Sequence, residues 1–205
     1  MMKKYLFILY KMTFAGIITT AVYQVSNAIF RALIGDMTEA MTASRSLLAA
    51  ITMLLFQILY CFVLSWLLYR NTADGIKRLT DDCTAKTYPG FLSDMKKLIH
   101  KERKVLFTAL ALLTLSVIRF FLMINGVIQF ICDTIFMGIT GASVWFFDFF
   151  VFLHLHDDPA TFLGTVVFSG VLSLVLGFLI FSIIYLFFLT LKRKKWYEEW
   201  KINVE

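Results

Sequence analysis

TFLGTVVFSGVLSLVLGFLIFSIIYLFFLTL, residues 161–191, decides the fold. The stretch holds 31 residues without one Asp, Glu, Lys, Arg or His. As an α-helix it reaches ~46 Å at ~1.5 Å per residue, against a hydrocarbon core of ~30 Å. That is enough for a transmembrane helix with length left for tilt or overhang. Asp158 stands at the N-cap position and Pro159 at the first helical position, the usual opening of a helix. The stretch is expected to stop at Lys192-Arg193-Lys194-Lys195.

Composition agrees. Of the 205 residues, 60% are hydrophobic and 17% charged, where soluble domains sit near roughly 45–50% and 25%. Three cysteines, Cys61, Cys83 and Cys132, are far apart and form no CxxC pair. They read as small apolar side chains or an idle loop thiol. No internal repeat or low-complexity linker interrupts the chain.

Upstream of the long stretch the chain reads as helices built to stand beside it. Lys3, Lys4 and Lys11 precede a charge-free run from Met12 to Phe30, long enough to span. The same region also carries the outline of a cleavable leader over residues 1–28, with Ser26-Asn27-Ala28 as the small-residue site. Against a leader, the apolar character continues through Ile29, Phe30, Leu33 and Ile34. Gly35-Asp36 reads as a turn, with Asp36 and Glu39 opening the next helix near Met37. Between Arg45 and Arg70 lie 24 residues without charge. Residues 70–104 form a polar loop broken at Pro89-Gly90. Beyond the break, Phe91, Leu92, Met95, Leu98 and Ile99 recur at helical spacing among Lys96, Lys97, Lys101 and Lys104. This is a basic amphipathic helix, which either lies on anionic lipid or packs on its own bundle. A third apolar run begins at Val105 and is interrupted by Arg119 and Asn125-Gly126. The aromatic segment Trp145–Phe152, interrupted by Asp148, sits in a stretch too short to span. It reads as interfacial or re-entrant within residues 127–153.

Charge placement sets the topology. Seventeen of the twenty basic residues fall at the N-terminus, in the 70–104 loop or after Leu191. Placing all three on the cytoplasmic side requires an even number of crossings. The expectation is therefore a single all-α domain over residues 1–205, in the cell membrane. It is a four-helix integral membrane bundle with an interfacial or re-entrant aromatic segment between helices 3 and 4. The crossings fall at about 12–34, 46–69, 105–124 and 161–191, and both termini are cytoplasmic. The same placement argues against nucleic acid. The cations flank membrane helices as topology anchors and attractors of anionic lipid, and Trp196, Tyr197 and Trp200 read as an interfacial collar.

Several residues invite chemistry. Thr13, Thr20, Gln24, Asn27 and Arg31 fall at steps of seven, four, three and four, on one face of the first helix. Arg119 on the third helix stands at similar depth. Thr20, Gln24, Asn27, Arg31 and Arg119 thus outline an outward-facing polar pocket. The plainer reading is interhelical hydrogen bonding with Arg119 snorkelling to the interface. His154, His156 and Asp157 form a loose metal-like cluster. Two histidines at i and i+2 converge only on an extended segment, and no HExxH motif accompanies them, so neither metal nor cofactor is expected. Ser169, Ser173 and Gly177, at steps of four, permit close helix packing within the chain or against a second copy. No GxSxG, phosphate loop or supported carboxylate pair emerges. The pattern therefore points to a non-enzymatic membrane component, such as a transporter helper subunit or partner-binding protein. A small oligomeric transporter or channel is the alternative, and a metal-dependent membrane enzyme a third.

Overall fold

The computed structural model describes residues 2–34, 43–70, 88, 90–121 and 159–204. These form five helices: α1 (Met2–Ile34), α2 (Ala43–Leu68), α3 (Phe91–Lys101), α4 (Arg103–Phe121) and α5 (Pro159–Val204). No strand occurs among the described residues. Three of the helices contain stretches long and apolar enough to cross a membrane: Met2–Ser26, Ile51–Leu68 and Gly170–Glu199. The described residues are all-helical apart from short connections, and the length and composition of these three helices are those of a membrane protein. The turn at Gly35-Asp36, the aromatic segment within 127–153 and the His154–Asp158 corner lie outside the described residues.

α1 and α2 pack as an antiparallel pair. The Tyr60 hydroxyl donates to the Met12 carbonyl at 3.3 Å, and Tyr23 meets Phe56 edge-on at 5.1 Å. α2 and α5 run parallel, since Cys61 reaches the Phe181 carbonyl, Phe62 meets Phe188, and Lys192 donates to the Tyr69 carbonyl. One core joins them. Met12, Ala15 and Thr19 of α1 and Gln57, Tyr60 and Leu64 of α2 are sealed inside. So are Ala109 and Leu113 of α4, and Phe181 and Leu189 of α5. The threonine hydroxyls in this core are satisfied locally; Thr19 donates to Ala15 O at 2.8 Å and Thr190 to Leu186 O at 2.7 Å. Such back-bonding lets a hydroxyl sit in an apolar interior without a second helix to receive it.

α5 shows how sequence periodicity becomes orientation. Val171, Val175, Leu179, Ile183, Phe187 and Leu191, at steps of four, are exposed. Gly177, Phe181, Tyr185, Leu189, Arg193 and Tyr197, also at steps of four, are buried. Neighbouring members of the two rows are two residues apart, about 200° around the helix, and so lie on opposite sides. The outer row is wholly apolar, as a lipid-facing surface requires.

Two expected boundaries move. α5 does not stop at Lys192–Lys195 but runs to Val204, 46 residues in all. Charge ends solubility in lipid without ending a helix, because Lys, Arg and Glu are good helix formers. Lys194–Glu198 (3.8 Å) and Lys195–Glu199 (3.6 Å) brace the extension at i,i+4 spacing. For the same reason α1 begins at Met2, a full ten residues before the expected crossing. The start of α5 at Pro159 is where the sequence places it.

Candidate functional site

The described ionisable side chains converge on one end of the bundle, where α2 finishes, α3 crosses, α4 begins and α5 leaves its apolar stretch. Gly90 adopts φ +92°, a left-handed conformation that suits glycine, and opens α3. One turn later Asp94, whose N–H donates to the Gly90 carbonyl at 3.0 Å, faces inward. Its carboxylate receives the Arg193 Nε–H, at 3.1 Å to Oδ1 and 3.0 Å to Oδ2. The side chains are 0% and 4% exposed. A buried ion pair of this kind contributes little net stability, because desolvation offsets attraction. Removing one partner is costly, since it strands the other charge.

Glu102 occupies the joint between α3 and α4. Its N–H donates to Leu98 O at 2.8 Å, and its carbonyl accepts from the Val105 and Leu106 N–H groups at 2.8 and 3.0 Å. Its side chain is buried and accepts a 3.1 Å hydrogen bond from the Tyr185 hydroxyl. Burial pushes the Glu102 carboxyl up to about 7, with the Tyr185 bond and the Arg193 charge restraining the rise. Two carboxylates therefore face one guanidinium, Asp94 through a direct ion pair and Glu102 without one.

Aromatic packing completes the end. Tyr88 meets Tyr197 at 5.6 Å, Trp196 meets Tyr197 at 5.5 Å, and Phe91 meets Phe187 at 5.8 Å. Burial foremost, then the Asp94 charge, raises the Tyr88 hydroxyl above its ordinary pKa, while Arg193 lowers it. Arg70 stacks over the Trp66 ring, 5.3 Å from its centroid.

The polar stripe expected on the first helix fares differently. Thr13 and Thr20 are half-buried and Gln24 is exposed. Thr13 donates to Leu9 O at 2.9 Å within its own helix. The threonine sealed inside is Thr19, one residue from the expected position. Asn27 and Arg31 on α1, Arg119 on α4, and Ser169 and Ser173 on α5 lie in described helices, but their side chains are outside the described part. Gly177 is buried on the inner row of α5. His154, His156 and Asp157 lie outside the described residues.

Sequence reasoning missed Asp94, Glu102 and Arg193, and assigned Arg193 to a solvated anchor run. That assignment is corrected by its burial against Asp94. The signal was available. Extending the row Ser169, Ser173, Gly177 by further steps of four arrives at Arg193, so the packing face carries a cation into the bundle end. On α3, Asp94 falls beside Phe91, Met95 and Leu98, the apolar face.

The architecture is that of a multi-pass membrane protein with a braced, charged end. No protein-family model, curated protein or solved structure matches the chain.

Proposed function

We propose that this protein is a non-enzymatic membrane component that binds a second membrane protein through its basic end. In this reading the chain crosses the cell membrane four times with both termini cytoplasmic. The observation that carries it is the extension of α5. Thirteen residues, Lys192 to Val204, continue the helix past its apolar stretch, a projection of ~20 Å. The buried Arg193–Asp94 pair and the Tyr88–Tyr197 contact fix its inner side. Its outer side presents Lys194, Lys195, Glu198 and Glu199. A helix held rigid before a partner arrives loses less entropy on docking.

The test is extraction of the full chain in mild detergent, followed by identification of what remains bound after size exclusion. The expected result is a stoichiometric membrane protein retained by the wild type and lost from the double variant Glu198→Lys, Glu199→Lys. A strictly monomeric protein with no companion contradicts the reading.

A second reading is a small transporter that uses Thr20, Gln24, Asn27, Arg31 and Arg119. It draws on the packing of α1 against α4, which makes the helices carrying Gln24 and Arg119 neighbours. Solute flux in liposomes that is unchanged by Arg119→Ala with Gln24→Ala removes it.

A further inference from the structure

α3 touches α5 at both of its ends. Phe91 packs on Phe187, Asp94 pairs with Arg193, and Glu102 just past the helix accepts from Tyr185. Residues 185 and 187 are only ~3 Å apart along α5 and point to nearly opposite sides of it. The eleven residues of α3 reach ~16 Å. Asp94 near its start meets Arg193, which is about 12 Å further along α5 than Tyr185; α3 therefore packs beside α5 between the depths of Tyr185 and Arg193, where the apolar stretch of α5 ends. Its depth is set by its contacts. The exposed apolar row of α5 ends at Phe187 and Leu191, and the next exposed residues are Lys194 and Lys195.

The inner and outer faces of α3 differ in charge. Asp94, the acidic residue of α3, is turned inward onto Arg193, and Glu102 at the joint is buried as well. The exposed ionic groups of α3 and the first residue of α4 are thereby left cationic: Lys96, Lys97 and Arg103. Among them stand two large apolar side chains, Leu92 at 73% and Ile99 at 47% exposure. Residues 92, 96 and 99 recur at steps of four and three, which gathers them on one side of α3, and Arg103 opens α4 just past the joint. Phe107, one turn into α4, is exposed too.

We propose that α3 and the first turn of α4 form a binding surface for the phosphates of anionic lipids in the adjoining leaflet. Leu92 and Ile99 enter the acyl boundary, and Lys96, Lys97 and Arg103 meet headgroup phosphates. Cations beside apolar anchors, on an amphipathic helix packed where an apolar span gives way to lysines, are the components of interfacial anionic-lipid binding. The proposal rests on the membrane reading but not on a protein partner, and its test is independent of copurification.

The full chain is reconstituted in vesicles of equal parts phosphatidylglycerol and phosphatidylcholine, with a photo-crosslinking amino acid at Leu92, Ile99 or, as a control on the α5 extension, Glu198. Irradiation is expected to give lipid-mass adducts at 92 and 99 and none at 198. Separately, lipids retained after gentle delipidation are counted for the wild type and for Lys96→Gln, Lys97→Gln, Arg103→Gln combined. Enrichment of phosphatidylglycerol over phosphatidylcholine should fall by roughly fivefold or more, the effect of even one lost phosphate-facing cation. Adducts to protein at 92 and 99, or to neither lipid nor protein, overturn the proposal. Unchanged enrichment in the triple variant overturns it equally.

Discussion

Arg193 is buried because Asp94 receives it, and each is tolerable inside only while the other is present. Asp94→Ala strands a guanidinium, and Arg193→Met strands a carboxylate. Either is expected to cost about 3–5 kcal/mol in detergent unfolding, while Asp94→Leu combined with Arg193→Met recovers most of the loss. A double variant as unstable as the singles would show that the pair is not what holds this end. Glu102 behaves differently because its proton is the variable. Its folded-state value is about 7, against an ordinary value of 4.5. The folded protein therefore binds that proton more tightly than the unfolded chain does. The associated stability is complete below about pH 4.5, declines as pH rises toward 7, and is flat above. The difference amounts to something on the order of 3 kcal/mol. Glu102→Gln keeps an acceptor for Tyr185 while removing the charge. It should abolish this component and unfold at higher temperature than the wild type at pH 8. A variant whose melting temperature tracks the wild type across pH 4.5–8 would refute the assignment. None of these three side chains announces itself by a motif. Their pairing lies between helices distant in sequence, and only packing reveals it.

Helix faces were more legible than side-chain pairs. The alternation of apolar and charged positions after Pro89-Gly90 gives α3 its period, and Leu98 at the centre of the apolar face is buried. Leu98→Ala should cost about 2–5 kcal/mol through the cavity it leaves. Ser93→Ala, on the exposed face, should stay within about 0.5 kcal/mol. Equal losses at both positions would mean that α3 does not pack on the bundle as described. The sequence left open whether this helix rests on lipid or on its own protein. The structure shows one face packed on the bundle, and the other is the surface proposed for lipid. α5 teaches the complementary lesson. Its start was legible because Pro159 is a backbone signal. Its end was not, because a run of lysines is a solvation signal and the helix continues through it. The stripe on α1 is a third case. Thr13, Thr20 and Gln24 recur at the right spacing, yet the interior of a bundle is set by its neighbours. Thr19, which bonds its own backbone, is the one enclosed.

At the scale of the whole molecule, contacts and charge are independent witnesses to topology. Charge alone placed the N-terminus, the 70–104 loop and the segment after Leu191 together. The contacts gather the described parts of these segments at one end of the bundle. α2 and α5 run parallel and finish side by side at Tyr69 and Lys192. α1 is antiparallel to α2 with Met12 level with Tyr60, so Lys3 and Lys4 stand near the depth of Tyr69. α4 starts at the same end, beside Tyr185. Pro159, however, begins α5 some 33 residues before Lys192, ~50 Å toward the opposite end. Between Arg103 and Pro159 the chain must therefore travel from one end to the other. The 19-residue α4, ~28 Å long, is the segment expected to make that passage as the fourth crossing. Single cysteines placed at Gly35, Ser93 and Asp158 in a chain freed of Cys83 and Cys132, with Cys61 kept because it is buried, test this in intact cells. A membrane-impermeant maleimide should label the positions at 35 and 158 and leave 93 unlabelled until the membrane is opened. Labelling at 93 but not at 35 and 158 would invert the orientation while keeping four crossings. Labelling at 35 with protection at 158 would leave α4 short of a passage and reduce the bundle to three.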